Sequence, residues 1–141
     1  METIILLDDI FLCHYTVLVI KAQSKSKDTG VIKDVEIIPL VTRVDDRGYL
    51  IEIVHSYDKF FKKFGQVYLV GDLVRATIRA FHKHEKLWDY FFISHGSAKF
   101  ILVDDRPESP TYRHINIFIS SQRNPAVLIV PPGVYHGWMS L

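Results

Sequence analysis

This chain has almost no cysteine, no surplus of charge and no long uncharged apolar run. One cysteine, Cys13, among 141 residues excludes an internal disulfide and fits a reducing compartment, so a cytoplasmic location is expected. Seventeen lysines and arginines stand against sixteen acidic residues, a net charge of +1. No broad basic face follows from that balance, so nucleic acid is not an expected partner. The longest uncharged run, Ile10 to Ile20, is too short to span a bilayer. Asp8 and Asp9 interrupt the wider apolar stretch from Ile4, and Glu2 stands where a signal peptide would carry basic residues. A soluble chain without a membrane partner is the expectation. No long amphipathic helical pattern and no internal repeat is found.

Aromatic and apolar residues are plentiful. Nearly half the chain (48%) is apolar, with nine Phe, seven Tyr and two Trp, enough for a core and favourable to strands. Residues Ala22 to Gly30 are polar and lysine-rich and read as an exposed linker. They separate an N-terminal segment, either a strand pair or a helix, from the body. Two units are expected: an N-terminal extension and linker (1–30) and one domain (31–141). Within the domain the pattern predicts strands at Val35–Val44, Tyr49–His55, Gln66–Val70, Ala76–His82, Trp88–Ser94, Lys99–Asp104, His114–Ser120 and Ala126–Val130. It predicts a turn at Asp45-Asp46-Arg47-Gly48 and a short capped helix at Asp58–Phe64. Short strands with turns every eight to twelve residues mean a sandwich or barrel.

The chemistry concentrates in Arg79-Ala80-Phe81-His82-Lys83-His84 and in Pro131-Pro132-Gly133-Val134-Tyr135-His136-Gly137-Trp138. Histidines two apart on a strand share a face. A third, from a Pro-Gly turn, can meet them across a barrel. Such a set suits a ligand, a proton transfer or a metal. With Asp89 and Gly96, the spacing is similar to the double motif of cupins, His-x-His, an acidic residue, glycine, then Pro-x-Gly-x-x-His. That resemblance implies an all-β cupin fold, a double-stranded β-helix or jelly-roll barrel. It also implies one candidate metal set, His82, His84, Asp89 and His136, since imidazoles and a carboxylate suit iron, manganese or zinc.

A closer resemblance covers Ile38 to Leu141. Asp45-Asp46-Arg47-Gly48-Tyr49-Leu50-Ile51-Glu52, Ile78-Arg79-Ala80-Phe81-His82, Val103 to Tyr112 with its Ser109-Pro110-Thr111, and Pro131 to Trp138 are similar, in order and spacing, to motifs of the dTDP-4-dehydrorhamnose 3,5-epimerases. These are metal-free cupins. The resemblance implies a nucleotide-linked 4-keto-6-deoxy sugar as substrate and no cofactor. A base removes a proton beside the ketone, and an enolate is reprotonated on the other face. It implies His82 as that base, a role that suits an imidazole. Arg79 would meet the phosphates, and Arg47, Glu52, Gln66 and His136 would hold the substrate, in part across a subunit interface. The family's later tyrosine acid and an aspartate would fall beyond Leu141, so the domain is expected to lack the family's C-terminal part.

His84 stands where the epimerases usually have glutamine. Arg79-Ala80-Phe81-His82-Lys83-His84 is like the Arg-Gly-x-His-x-His of the sugar-nucleotide 3,4-ketoisomerases, which implies His82 and His84 as a catalytic pair. Three alternatives to an epimerase therefore stand: a ketoisomerase, a metal cupin, and a non-catalytic sugar-nucleotide-binding remnant. A barrel with an uncovered edge invites pairing, so a homodimer is expected, with Ile4 to Ile20 a candidate for exchange.

Overall fold

The computed structural model describes residues 30–141. The expectations for Cys13, His14, the N-terminal segment and nearly all of the linker lie outside the described residues.

Those residues form nine antiparallel strands and no helix: β1 (Glu36–Pro39), β2 (Thr42–Asp45), β3 (Gly48–Ile51), β4 (Ile78–His82), β5 (Asp89–Phe92), β6 (Ser97–Asp104), β7 (Ile115–Ser121), β8 (Ala126–Val130) and β9 (Val134–Ser140). They assemble as a three-stranded sheet in the order β1-β8-β5, a four-stranded sheet β4-β9-β6-β7, and a β2-β3 hairpin. The fold is the all-β, cupin-type arrangement.

Strand β6 shows why the chain folds this way. Ser-Ala-Lys-Phe-Ile-Leu-Val-Asp buries every second residue, so Ala98, Phe100, Leu102 and Asp104 face inward. In β8 four successive apolar residues, Val127 to Val130, are buried, so both faces of this central strand, paired on its edges with β1 and β5, are covered. Phe100, Leu102, Leu128, Val130 and Val134 form the core with Ile32 and Val35, and Phe91 and Trp138 pack against it. Each fully buried side chain of this size contributes about 1.5–3 kcal/mol. Strands β4 and β9 approach closely: a Cβ on Gly137 would come within 2.5 Å of the Ala80 Cβ.

The strand expectations hold broadly, with four corrections. The Val35–Val44 stretch is two short strands, β1 and β2. Residues Asp58–Phe64 form no helix; a carboxylate contact from Asp58 to the His55 N–H (2.6 Å) and one Phe61-to-Asp58 turn bond (3.0 Å) do form. Seven residues are too few to offset the cost of helix nucleation without a packed face. Residues Gln66–Val70 form no strand, since no strand among the described residues pairs with them, and Val67 is 86% exposed. The chain after the Pro-Gly turn continues as β9, so His136 sits on a strand rather than in the turn.

Candidate active site

Four of the sequence-predicted residues come together at the rim of the space between the two larger sheets. His82 ends β4 and pairs in register with His136 of β9, so both rings lie on one face. Their centroids are 6.0 Å apart. Asp89 opens β5 in the facing sheet. His84 lies past the end of β4, not on the strand, yet its ring is 5.6 Å from that of His136. The Gly133 N–H holds it there by donating to the His84 carbonyl (2.8 Å). Lys83, between the two histidines, turns the other way, to Asp105 (2.6 Å) and over the Tyr135 ring. The strand-face argument for His82 and His84 therefore reaches the right neighbours by a different backbone path.

Depth differs across the cluster. His136 is buried, Asp89 and His84 are partly covered, and His82 is exposed. Asp89 Oδ1 is 3.7 Å from His84 Nε2, and its Oδ2 is 3.8 Å from His136 Nε2. Burial raises the Asp89 carboxyl above its ordinary range, against the pull of the three imidazoles. Burial also lowers the His136 imidazole, outweighing the Asp89 charge. The inner wall is aromatic: Phe91 packs 5.4 Å from His136 and 5.8 Å from Trp138, and His82 lies 6.2 Å from Trp138.

Arg79 sits in register with Trp138 one step along the same strand pair. Its Nε donates to Asp72 Oδ1 (2.7 Å), while Trp138 Nε1 donates to Asp72 Oδ2 (3.0 Å). The Arg79 guanidinium holds the Asp72 carboxyl below its usual value. Asp72 was not singled out from the sequence; it lies in an irregular segment where no pattern marks it. The remaining candidates are elsewhere. Arg47 is at the tip of the β2-β3 hairpin, highly exposed and paired with Asp45. Glu52 pairs with Arg43 (3.0 Å) and His55 (3.5 Å). Gln66 is exposed on the irregular segment.

The Asp104-to-Thr111 stretch serves the fold. Asp104 is buried and accepts from Arg106 Nε (2.8 Å), Ser109 Oγ (2.6 Å) and Thr111 Oγ1 (2.6 Å). Arg106 also reaches Asp34 (3.1 Å) and the Lys33 carbonyl (2.7 Å), tying the segment before β1 to the barrel. Its side chain lies against Gly133, where φ is +81° and an added Cβ would fall 2.5 Å from Arg106 Cγ, so glycine is required. Arg106 thus buttresses the turn that holds His84.

Three imidazoles and one carboxylate thus cluster at the mouth of an antiparallel, cupin-type double sheet. A family described as dTDP-4-dehydrorhamnose 3,5-epimerase matches residues 29–141, and the chain belongs to that family. The spore coat polysaccharide biosynthesis protein SpsL of Bacillus subtilis (strain 168) is 34% identical over 110 residues, covering 78% of this chain and 72% of that protein. The dTDP-4-dehydrorhamnose 3,5-epimerase of Bacillus anthracis, solved with TDP and pyrophosphate bound, is 27% identical with a TM-score of 0.66, covering 83% of this chain and 69% of that one. The TDP-quinovose 3,4-ketoisomerase WlaRB of Campylobacter jejuni shares the fold at 22% identity and a TM-score of 0.62, over 76% and 75% of the two chains.

Proposed function

We propose that this chain is an isomerase acting on a dTDP-4-keto-6-deoxy sugar in polysaccharide biosynthesis, with His82 as the base that removes a proton beside the ketone. The observation that carries this is the position of His82. It is the most exposed member of the histidine cluster, set against an aromatic wall and three residues from Arg79. A ketone acidifies its neighbouring C–H bonds, and an imidazole within reach of one can take that proton near neutral pH. The guanidinium of Arg79 supplies charge for a diphosphate. Family membership supports the substrate class. Catalysis on these terms uses no cofactor, and the site lies in a chain whose described residues include no helix long and apolar enough to cross a membrane.

A 3,4-ketoisomerase is the second reading. It is favoured by His84, which reaches the same cluster and neighbours Asp89 at 3.7 Å. Deuterium wash-in separates the two. In heavy water with dTDP-4-keto-6-deoxyglucose, the epimerase reading expects exchange at C3 and C5. Exchange at C3 alone supports the ketoisomerase. Binding with no exchange at either carbon sinks both and leaves a sugar-nucleotide-binding protein.

A homodimer belongs to this proposal. Val44, Tyr49, Val67, Leu69 and Leu73 are all strongly exposed, and Leu73 is fully so. An uncovered apolar arm of this extent fits a protein contact. Arg47, Glu52 and Gln66 lie on or beside that arm, so a second subunit is the route by which they would meet substrate. Light scattering at moderate concentration is expected to give twice the chain mass; a monomer would count against the arrangement.

A further inference from the structure

Strand β7 carries a surface that the site does not use. It ends the order β4-β9-β6-β7, so one of its edges meets no strand among the described residues. Its outer face is apolar. Alternation turns Asn116 and Phe118 inward and leaves Ile115, Ile117 and Ile119 outward, 56%, 61% and 58% exposed. Val103 and Ile101 stand in register beside Ile115 and Ile117 on β6, so the patch runs across two strands. An edge of seven residues that is both unpaired and apolar invites another segment to pair with it.

The path of the chain supplies the occupant. Gly30, the first described residue, lies at the start of β7. Its carbonyl accepts from Asn116 Nδ2 (3.5 Å), and the Ile32 N–H donates to Asn116 Oδ1 (2.8 Å). The segment before it lies outside the family match, which begins at residue 29. Residues 10–20 are uncharged and outnumber those of β7. Their odd-numbered positions, Phe11, Cys13, Tyr15, Val17 and Val19, make an unbroken apolar face at strand period. Residues 21–29 are a polar connection that spans up to about 30 Å when extended. A segment running antiparallel to β7 would end beside Ile115, near Gly30, and the connection would close without crossing the sheet.

We propose that residues 10–20 pair with the free edge of β7 as an antiparallel strand of the same chain, continuing the apolar face of Ile115, Ile117 and Ile119. The arm assigned above to a second subunit is a different surface. The pairing is independent of which sugar reaction the site performs.

Cys13, the sole cysteine, gives a probe inside the segment in the full chain. With a second cysteine introduced by Ile119→Cys, a short bismaleimide is expected to join the two thiols in a species of single-chain mass. Tyr57→Cys, exposed and outside the β7 sheet, should not cross-link. Ile117→Asp should speed the reaction of Cys13 with a thiol reagent by about tenfold or more, since a charge on that face opposes apolar contact. Ile117 is mostly exposed, so the core is untouched, and circular dichroism verifies folding. Cross-links formed only between chains would overturn the assignment to the same chain and put exchange between two copies in its place. Cys13 reacting as a free thiol, or at a rate that Ile117→Asp leaves unchanged, would overturn the docking itself. So would equal cross-linking from Tyr57→Cys.

Discussion

Replacing His82 by Asn is expected to cut substrate-proton exchange by about 10²–10⁴-fold, the usual worth of a positioned general base. The physical case for a clean result is strong. His82 closes β4 and is exposed, so Asn there touches none of the buried core residues. Nucleotide-sugar affinity should therefore persist while turnover falls, a loss in kcat with little change in KM. Arg79→Ala predicts the opposite balance in kind, since its guanidinium is assigned to holding phosphate. Isotope exchange measured by NMR, together with calorimetric binding of dTDP, reads both. Wild-type exchange in His82→Asn would remove His82 from the role of base.

His84→Asn distinguishes the two isomerase chemistries in the same assay. If His82 alone is the base, the His84 change lowers exchange far less than the His82 change. If the pair shares proton shuttling, the two losses match. The cluster geometry makes the comparison sharp. The two rings sit at similar distances from His136, but only His84 neighbours Asp89 within 4 Å.

How much of this was legible depended on whether the signal was local. The alternation in β6 and the apolar run of β8 follow from burial and were readable residue by residue. So was the Asp45–Gly48 turn. The segment from Asp58 to Val70 misled because its apolar spacing imitates first a helix and then a strand. Neither forms without a partner surface, and Val67 and Leu69 lie bare in the single chain. The meeting of His82 with His136 was inferred from motif spacing and rests physically on the β4-β9 register. For His84 the strand-face argument gave the right neighbours, yet the Gly133 N–H is what places it, a contact almost fifty residues away in sequence. Asp72 left no trace in the pattern, because a bridge between Arg79 and Trp138 exists only once both strands are paired.

Asp104 carries the largest expected effect on stability. Asp104→Ala should lower unfolding free energy by about 3–5 kcal/mol, the scale of removing one partner from a buried ion pair. It would leave Arg106, Ser109 and Thr111 without their common acceptor and loosen the tie to Lys33 and Asp34. Thermal melts should fall on the order of 10 °C or more. Acid pH gives the more specific test. Burial alone would raise this carboxyl, but hydrogen bonds from Arg106, Ser109 and Thr111 prevail and hold it well below the carboxylate range. Its contribution is then complete above the unfolded-state value of about 4 and is lost as pH falls toward the depressed folded value. Wild-type stability from urea unfolding should drop along that acid limb, and Asp104→Asn should show a shallower drop from a lower plateau. An Asn variant with the wild-type plateau and the wild-type acid limb would mean that the carboxylate charge contributes nothing. Because Arg106 backs Gly133, and Gly133 holds the His84 carbonyl, the same substitution should also weaken whatever depends on His84 more than whatever depends on His82 alone.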